Sequence, residues 1–478
     1  MKIFNTFSRK EEEFIPIEKG KVGMYVCGVT VYGPLHMGHA RTYVAYDLIR
    51  NYFTHFKNMD VLFVQNITDV GHIVGDVDEG EDKIQRKARL EQKHPMEIVD
   101  MYIKEMWEGL DILKCDRPNI APRATGHIVE IIDTIMGLIK RRHAYEVDGD
   151  IYFDVSSFKD YGKLSGIDGE RLMKGVRIEA NPKKRNPADF ALWKKSDKSH
   201  IMQWTSPWGK GYPGWHIECS VMSTKYLGTT FDIHGGAREL SFPHHENEIA
   251  QSEALTNKKM VNYWVHTGLL SIGGQKMAKS TGNFITVKDA IEKYSPEVLR
   301  FFILANQYSS PIDLKDETID SARASLGRIN NFLFQLRHNP KQEYNPDLRE
   351  RLNKLEHGFM DAMDNDFNTP IALAEIFGFI NYANEVVHEG EYNHKNADEI
   401  ENYFRKLDKV FKSFSFEEGN HGEIDRTVVE SLIAERTKAK KKKDWATADT
   451  LREKLKGMGV ELFDKKDGAT DYKITKSS

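Results

Sequence analysis

Met24-Tyr25-Val26-Cys27-Gly28-Val29-Thr30-Val31-Tyr32-Gly33-Pro34-Leu35-His36-Met37-Gly38-His39-Ala40-Arg41 is the stretch from which the fold is read. An apolar run ends in a cysteine, loops through glycine and proline, and then opens the helical spacing Ala40, Val44, Leu48, Ile49. That order predicts a strand, a turn and a helix start, the layout of a nucleotide-binding β-α unit. A helix N-terminus presents free N–H groups and the positive end of its dipole, so polyphosphate is its natural guest. His36 and His39 add donors that can reach phosphate oxygens, and Gly38 between them lets a flat adenine or ribose approach the backbone. The same two histidines also fit an ordinary helix start, and this stretch alone does not separate the two readings.

A second segment bears on that choice. Ile272-Gly273-Gly274-Gln275-Lys276-Met277-Ala278-Lys279-Ser280-Thr281-Gly282-Asn283 is a glycine-hinged loop with two lysines three apart. Lys276 and Lys279 supply point charges for a phosphate whose negative charge grows in a transition state. HxGH near the start and KMxKS far downstream resemble the two signatures of class I aminoacyl-tRNA synthetases. Ala278 stands where that class usually has serine, which weakens the hydrogen-bonding capacity of the loop and leaves its lysines intact.

At 478 residues the chain is too long for one core, and several domains are expected. With 40% hydrophobic and 29% charged residues, its composition is that of a soluble protein. No apolar run of about 18 residues exists and Met1 to Asn5 lack a signal-peptide core, so the expectation is a cytoplasmic protein without a membrane segment. Three scattered cysteines, Cys27, Cys115 and Cys219, build no disulfide framework and read as reduced thiols or metal ligands. The net charge of −4 hides an asymmetry: residues 426–478 carry 14 basic and 9 acidic side chains, against 54 and 63 in the remainder. A basic tail on an acidic body suggests a polyanionic partner such as nucleic acid, although a solvated helix face has the same composition.

The pattern predicts an α/β protein: a doubly wound parallel-sheet (Rossmann-like) catalytic domain with an insertion, then a helical bundle and a small C-terminal module. Val61 to Val64 read as a buried parallel strand ending at Asn66-Ile67-Thr68-Asp69, and residues 76–92 as an exposed, charged loop and helix. From Tyr145 to about Lys198 the pattern turns to short strands, an insertion rather than part of the sheet, and the doubly wound pattern resumes near Trp204. Ile319, Ala322, Leu326, Ile329, Leu333 and Leu336 recur at helical spacing as a core-facing stripe. Glu417 to Gly422 form a plausible hinge. The expected division is 1–125 and 201–258 for the two halves of the catalytic domain and 126–200 for the inserted connective domain. Residues 259–315 carry the lysine loop, 316–416 the bundle and 424–478 the basic module.

Cys27 ends the first strand, and Cys219 lies in Gly214-Trp215-His216-Ile217-Glu218-Cys219. His244 and Glu248 are four apart, hence on one face of a helix. Two thiolates, an imidazole and a carboxylate make a sensible zinc set. Singly, each has a plainer reading as a small core residue or an exposed ion pair, and no compact CxxC appears. Here similarity to a family adds what spacing does not. Tyr25 to Gly28, Gly214 to Cys219, Asp232-Ile233-His234-Gly235-Gly236 and Phe242 to Glu248 resemble consecutive signatures of the cysteinyl-tRNA synthetase family. So do Lys276 to Asn283, Asp366-Phe367-Asn368-Thr369-Pro370 and Lys443 to Asp449. Departures at Val29, Gly33, Gly126 and Ala237 put the shape of the pocket rim in doubt, not the chemistry.

The resemblance implies a ligase that activates L-cysteine with ATP, releases pyrophosphate, and passes cysteine to the terminal adenosine of tRNA(Cys). It implies one Zn²⁺ held by Cys27, Cys219, His244 and Glu248, with Mg²⁺ accompanying ATP. His36, Gly38 and His39 would hold the triphosphate while Lys276 and Lys279 swing over it. Gly28, Thr68, Trp215 and His234 would line the amino-acid pocket, although core packing explains Trp215 equally well. Trp445, Asp449 and Arg452 fall at i, i+4 and i+7, so one helix would present a stacking face and two base-edge contacts to the anticodon, with Lys440 to Lys443 meeting phosphates. The plainer reading packs Trp445 inside a basic helix. A monomer is expected. The rival functions are a cysteine:amino-sugar ligase sharing the catalytic core, which needs no anticodon module, and a non-catalytic tRNA-binding protein, which needs neither lysine loop nor metal ligands.

Overall fold

The computed structural model describes residues 1–73, 80–166, 181–197, 200–277, 283–337, 340, 343–416, 426–441, 444–457, 460–464 and 470–474. The chain opens with an antiparallel hairpin, β1 (Lys2–Asn5) and β2 (Lys10–Glu13). Then come β3 (Lys21–Val26), α1 (Met37–His55) and β4 (Asp60–Gln65). Met24, Tyr25 and Val26 are all buried, as an inner parallel strand covered on both faces requires. Helix α1 is buried along most of its length, which is why its sequence has no clean polar face.

Helices α2 (Lys83–Glu91), α3 (Pro95–Ile112) and α4 (Ile128–Lys140) lead into a separate antiparallel sheet. Its strands are β5 (Ala144–Val147), β6 (Asp150–Phe153), β7 (Phe190–Lys195), β8 (Trp204–Ser206) and β9 (Gly209–Pro213), in spatial order β5-β6-β7-β9-β8. The inserted sheet therefore continues to Pro213, past residue 200, and the expected return to the doubly wound pattern near Trp204 is corrected. Trp193 pairs with Pro213 and Lys194 with Tyr212 across the sheet.

The parallel fold returns with α5 (Trp215–Leu227), β10 (Phe231–Ala237), α6 (His244–Thr256) and β11 (Val261–Thr267). The parallel sheet has the order β11-β10-β3-β4. From β3 the chain steps outward to β4, and later from β10 outward to β11, so the winding reverses between β3 and β10. In such sheets ligands bind at the carboxyl ends beside that reversal, where Cys27 N–H donates to Gly235 O at 3.1 Å.

A small sheet of β12 (Leu270–Ile272), β13 (Gln275–Lys276) and β14 (Ile312–Leu314) carries the lysine loop. Gly273 and Gly274 close its hairpin with φ of 57° and 75°, the two left-handed residues a tight hairpin turn needs. Helices α7 (Val287–Lys293) and α8 (Pro296–Leu304) precede a bundle of α9 (Asp316–Gln335), α10 (Pro346–Asp364), α11 (Thr369–Glu389) and α12 (His394–Phe411). Helix α10 opens at Asn345-Pro346: the Asn345 side chain accepts from the N–H groups of Asp347 and Leu348, and proline takes the first turn. The α9 stripe from Ile319 to Leu333 is buried. One buried cation ties these layers together: Arg300 on α8 reaches Asp47 of α1 at 2.5 Å and donates to the carbonyls of Leu113 and Phe411.

The chain divides into two compact units, Met1–Phe414 and Ser415–Ser478. In the second, α13 (Arg426–Lys441) and α14 (Trp445–Gly457) pack with a hairpin of β15 (Val460–Asp464) and β16 (Thr470–Ile474) around Val429, Leu432, Leu455 and Val460. The expected hinge at 417–422 lies outside the described residues. Among the described residues no helix is long and apolar enough to cross a membrane.

Candidate active site

A cavity of about 780 Å³ opens at the carboxyl ends of β3 and β10, lined by Cys27, Gly28, Thr30, His36, Gly38 and His39 from one side. His72, Lys83, Trp215, Glu239 and Met277 line it from the others. Gly28 must be glycine: its N–H donates to Asn66 Oδ1 at 2.7 Å, and a Cβ there would sit 1.6 Å from the Asn66 carbonyl oxygen.

His36 and His39 form the start of α1, the plainer of their two readings, and both line the cavity. His36 is the N-cap of α1, its Nδ1 accepting from His39 N–H at 3.3 Å, while His39 Nδ1 faces His36 N–H at 3.5 Å. The rings stack at 3.4 Å. A neutral imidazole that accepts at Nδ1 carries its proton at Nε2, so capping makes both rings Nε2–H donors at the cavity wall. Of the lysine loop, the backbone of Lys276 is on β13, its side chain and all of Lys279 lying outside the described residues.

Beneath the cavity floor Cys27, Cys219, His244 and Glu248 converge, with their ligand atoms all within 4.8 Å of one another. Cys27 Sγ is 3.7 Å from Cys219 Sγ and 3.5 Å from Glu248 Oε1, and His244 Nε2 is 3.2 Å from the same Oε1. A tetrahedral ion with metal–sulfur bonds of about 2.3 Å and metal–N/O bonds of about 2.0–2.1 Å has edges of about 3.8, 3.6 and 3.4 Å for these three pairs. The donor set fits zinc in both identity and spacing. A second grouping, Cys27, His234, His245 and Glu248, is equally compact, with His245 Nε2 3.3 Å from Cys27 Sγ. His234 Nε2 lies 2.8 Å from Glu248 Oε2, and His245 Nδ1 lies 2.8 Å from His266 Nε2. His244 Nδ1 meets His216 Nδ1 at 2.9 Å, a partner that orients the ring with Nε2 toward Glu248. Burial pushes the Cys27 thiol and the Glu248 carboxyl upward and holds His234 and His266 down at about 3, so these imidazoles are neutral. A bound dication would reverse that preference for the Cys27 thiol and the Glu248 carboxyl.

Of the residues expected in the amino-acid pocket, Gly28 and Trp215 line the cavity. Trp215 is half-buried, with His72 stacked on it at 4.0 Å and His244 at 4.3 Å, rather than closed into a core. Thr68 and His234 lie behind the wall: Thr68 Oγ1 accepts from Asn66 Nδ2, and His234 holds the Glu248 carboxylate. His72, Lys83 and Thr30 line the cavity without having been singled out. Lys83 sits in a run that read as an exposed charged helix, and an isolated histidine carries no spacing signal.

In the C-terminal unit Trp445, Asp449 and Arg452 are exposed on α14, Trp445 by 59%. The tryptophan starts the helix outside the core, and Asp444 caps it by accepting from Thr447 N–H. Lys440 is drawn inward to Asp464 at 2.9 Å, and residues 442–443 lie outside the described residues.

With this geometry the chain falls among the class I aminoacyl-tRNA synthetases. Residues 13–324 match the class I (C) tRNA synthetase catalytic domain family. The fold is that of a LeuRS–tRNA–LeuAMS complex from Agrobacterium radiobacter K84, with TM-score 0.60, 13% identity and 84% and 85% of the two chains covered. Mycobacterium tuberculosis methionyl-tRNA synthetase with methionyl-adenylate is similar at TM-score 0.59, 13% identity and 82% and 88% coverage. Residues 358–415 match the DALR domain and 427–470 the cysteinyl-tRNA ligase anticodon binding domain. The chain belongs to the cysteine–tRNA ligase family, and is a ligase. It is 43% identical to the cysteine–tRNA ligases of Chlorobaculum tepidum and Thermus thermophilus, over 98% of this chain and of each relative. The relative in Thermococcus onnurineus is 43% identical over 99% of both. An anticodon-binding domain decides between tRNA and an amino-sugar in favour of tRNA.

Proposed function

We propose that the cavity joins L-cysteine to ATP as cysteinyl-adenylate and then to tRNA(Cys), with cysteine selected by a Zn²⁺ that Cys27, Cys219, His244 and Glu248 would hold. The observation that carries this reading is the convergence of those four donors, within 4.8 Å of one another, beside a nucleotide-type cleft that Cys27 also lines.

Cysteine and serine differ by one atom, and an apolar pocket separates such pairs by only about 1–3 kcal/mol. Bound zinc supplies a soft Lewis acid that takes a thiolate in preference to a hydroxyl. The other work falls to the protein. His36 and His39 donate from Nε2 to the triphosphate, and the first N–H groups of α1 add their dipole. The backbone at Gly28 leaves room for the amino acid, and the Trp215 ring closes the cavity over it. Lys276 and Lys279 place positive charge against the phosphates as pyrophosphate departs, with Mg²⁺ accompanying the nucleotide. Positioning and electrostatics account for such a reaction without a protein nucleophile. The exposed Trp445, Asp449 and Arg452 would read anticodon bases. Catalysis is expected from a monomer.

The test is metal content measured together with cysteine-dependent ATP–pyrophosphate exchange. One zinc per chain, with exchange lost on its removal and restored on its return, is the expected result. Full exchange in metal-free protein removes the reading.

A further inference from the structure

His72, Thr30 and Lys83 form a hydrogen-bonded chain along the cavity wall, and no part of the reaction described above uses it. His72 is buried, 7% exposed, with Nδ1 2.5 Å from Thr30 Oγ1 and Nε2 2.6 Å from Lys83 Nζ. Its ring lies flat on Trp215, with centroids 4.0 Å apart and planes at 10°. The backbone supports the same pairing, since Lys83 N–H donates to His72 O at 2.8 Å.

The direction of this chain follows from donor accounting. A lysine ammonium has three donors and no acceptor, so His72 Nε2 must accept. A neutral imidazole accepting at Nε2 carries its proton at Nδ1, and that proton goes to Thr30 Oγ1. Thr30 Oγ1, accepting there, keeps its own proton for a further acceptor. Among the described residues that hydroxyl makes no other hydrogen bond, and Thr30 lines the cavity. A hydroxyl proton held toward the cavity suits an anionic oxygen and repels an ammonium, which has donors only.

We infer that His72 is a positioning residue for amino-acid activation, polarised by Lys83 so that the Thr30 hydroxyl donates to the carboxylate of the incoming amino acid. The inference rests on the placement of cysteine in this cavity. The carboxylate is the group that must attack phosphorus, so a donor fixed beside it sets the angle of attack as well as affinity. Trp215 connects the two ends of the substrate site, with His72 on one side and the metal-type ligand His244, 4.3 Å away, near the other.

The experiment compares cysteine with cysteamine, which keeps the thiol and amine and lacks the carboxylate. His72→Phe keeps the flat ring on Trp215 and removes both nitrogens; Thr30→Val removes only the hydroxyl. Each is expected to raise the KM for cysteine in ATP–pyrophosphate exchange about tenfold to a hundredfold, the worth of one hydrogen bond to a charged group. The KM for ATP and the inhibition constant of cysteamine stay at their wild-type values. Thr30→Ser restores cysteine binding, and the double variant is no worse than Thr30→Val alone, because the two residues act as one unit. Lys83→Met, on a partly exposed helix position, gives the same selective loss if either buried variant fails to fold. Equal weakening of cysteine and cysteamine, or additive losses in the double variant, overturns the inference. An unchanged KM for cysteine in Thr30→Val, with exchange abolished in Cys219→Ser, overturns this chain alone; unchanged exchange in both variants overturns the placement of cysteine as well.

Discussion

The sulfur of Cys27 lies 3.7 Å from the sulfur of Cys219, across a sequence separation of 192 residues. One thiol ends a central parallel strand and the other rides on the first turns of a helix that follows a five-stranded insertion. Their meeting at the carboxyl end of the sheet, with His244 and Glu248 completing the group, sets the chemistry open to this chain.

If those four side chains hold zinc, removing one ligand removes substrate selection. Cys219→Ser is expected to lower cysteine-dependent exchange by more than about a hundredfold, beyond the range seen when only an outer partner of a metal ligand is lost. Elemental analysis should show the metal gone. A variant with full zinc content and full exchange contradicts the assignment.

His234 does not line the cavity, yet its Nε2 is 2.8 Å from Glu248 Oε2. His234→Ala should weaken metal binding about 10–100-fold by freeing the carboxylate to turn. Competition with a chromophoric chelator reads this directly, and unchanged affinity would remove the orienting role.

Arg300 and Asp47 form a buried pair at the junction of α1, α8 and α12. Arg300→Met leaves Asp47 with the partly exposed Lys412, 3.1 Å away, as its remaining cation among the described residues, and is expected to cost about 3–5 kcal/mol of stability. Urea unfolding followed by tryptophan fluorescence is the measurement, and a loss under about 1 kcal/mol would mean that Lys412 compensates.

Burial raises the Asp82 carboxyl to about 6, against about 3.9 for an unfolded chain. Because the folded pKa is the higher, the native state binds more protons between the two values, and stability falls as pH rises through that window. Between pH 5 and 7 the loss comes to about 1 kcal/mol. Asp82→Asn, which keeps an acceptor for the N–H groups of Ile84 and Gln85, should flatten that part of the pH–stability curve. An identical slope in the variant would assign the dependence to other groups.

Trp445 is exposed at the start of its helix, free to stack on a base. Trp445→Ala should raise the KM for tRNA in aminoacylation about tenfold, within the range for one lost stacking contact, and leave ATP–pyrophosphate exchange intact. Equal loss in both assays would count against an anticodon role for this residue.

The local parts of this fold were legible in one dimension. The strand ending at Cys27, the helix opening at His36, the α9 stripe and the proline-started α10 each follow from periodicity or capping within a dozen residues. The far end of the inserted sheet is not legible locally, because Gly209 to Pro213 joins it by pairing with Trp193 and Lys194, a long-range contact. His72 and Lys83 were passed over for a similar reason: nothing near them in sequence marks them, and only the stacking on Trp215 brings them to the cavity.

Sequence alone determined the residue types, two sulfurs, an imidazole and a carboxylate, and the nucleotide-type turn beside them, because backbone propensity and side-chain chemistry are local properties. It gave no partner for any ring nitrogen of His234, His244 or His245. Tertiary structure set those partners, since they depend on which ring nitrogen meets which residue across strands and helices far apart in the chain. Those contacts exist only once burial of the parallel sheet has fixed its strand order.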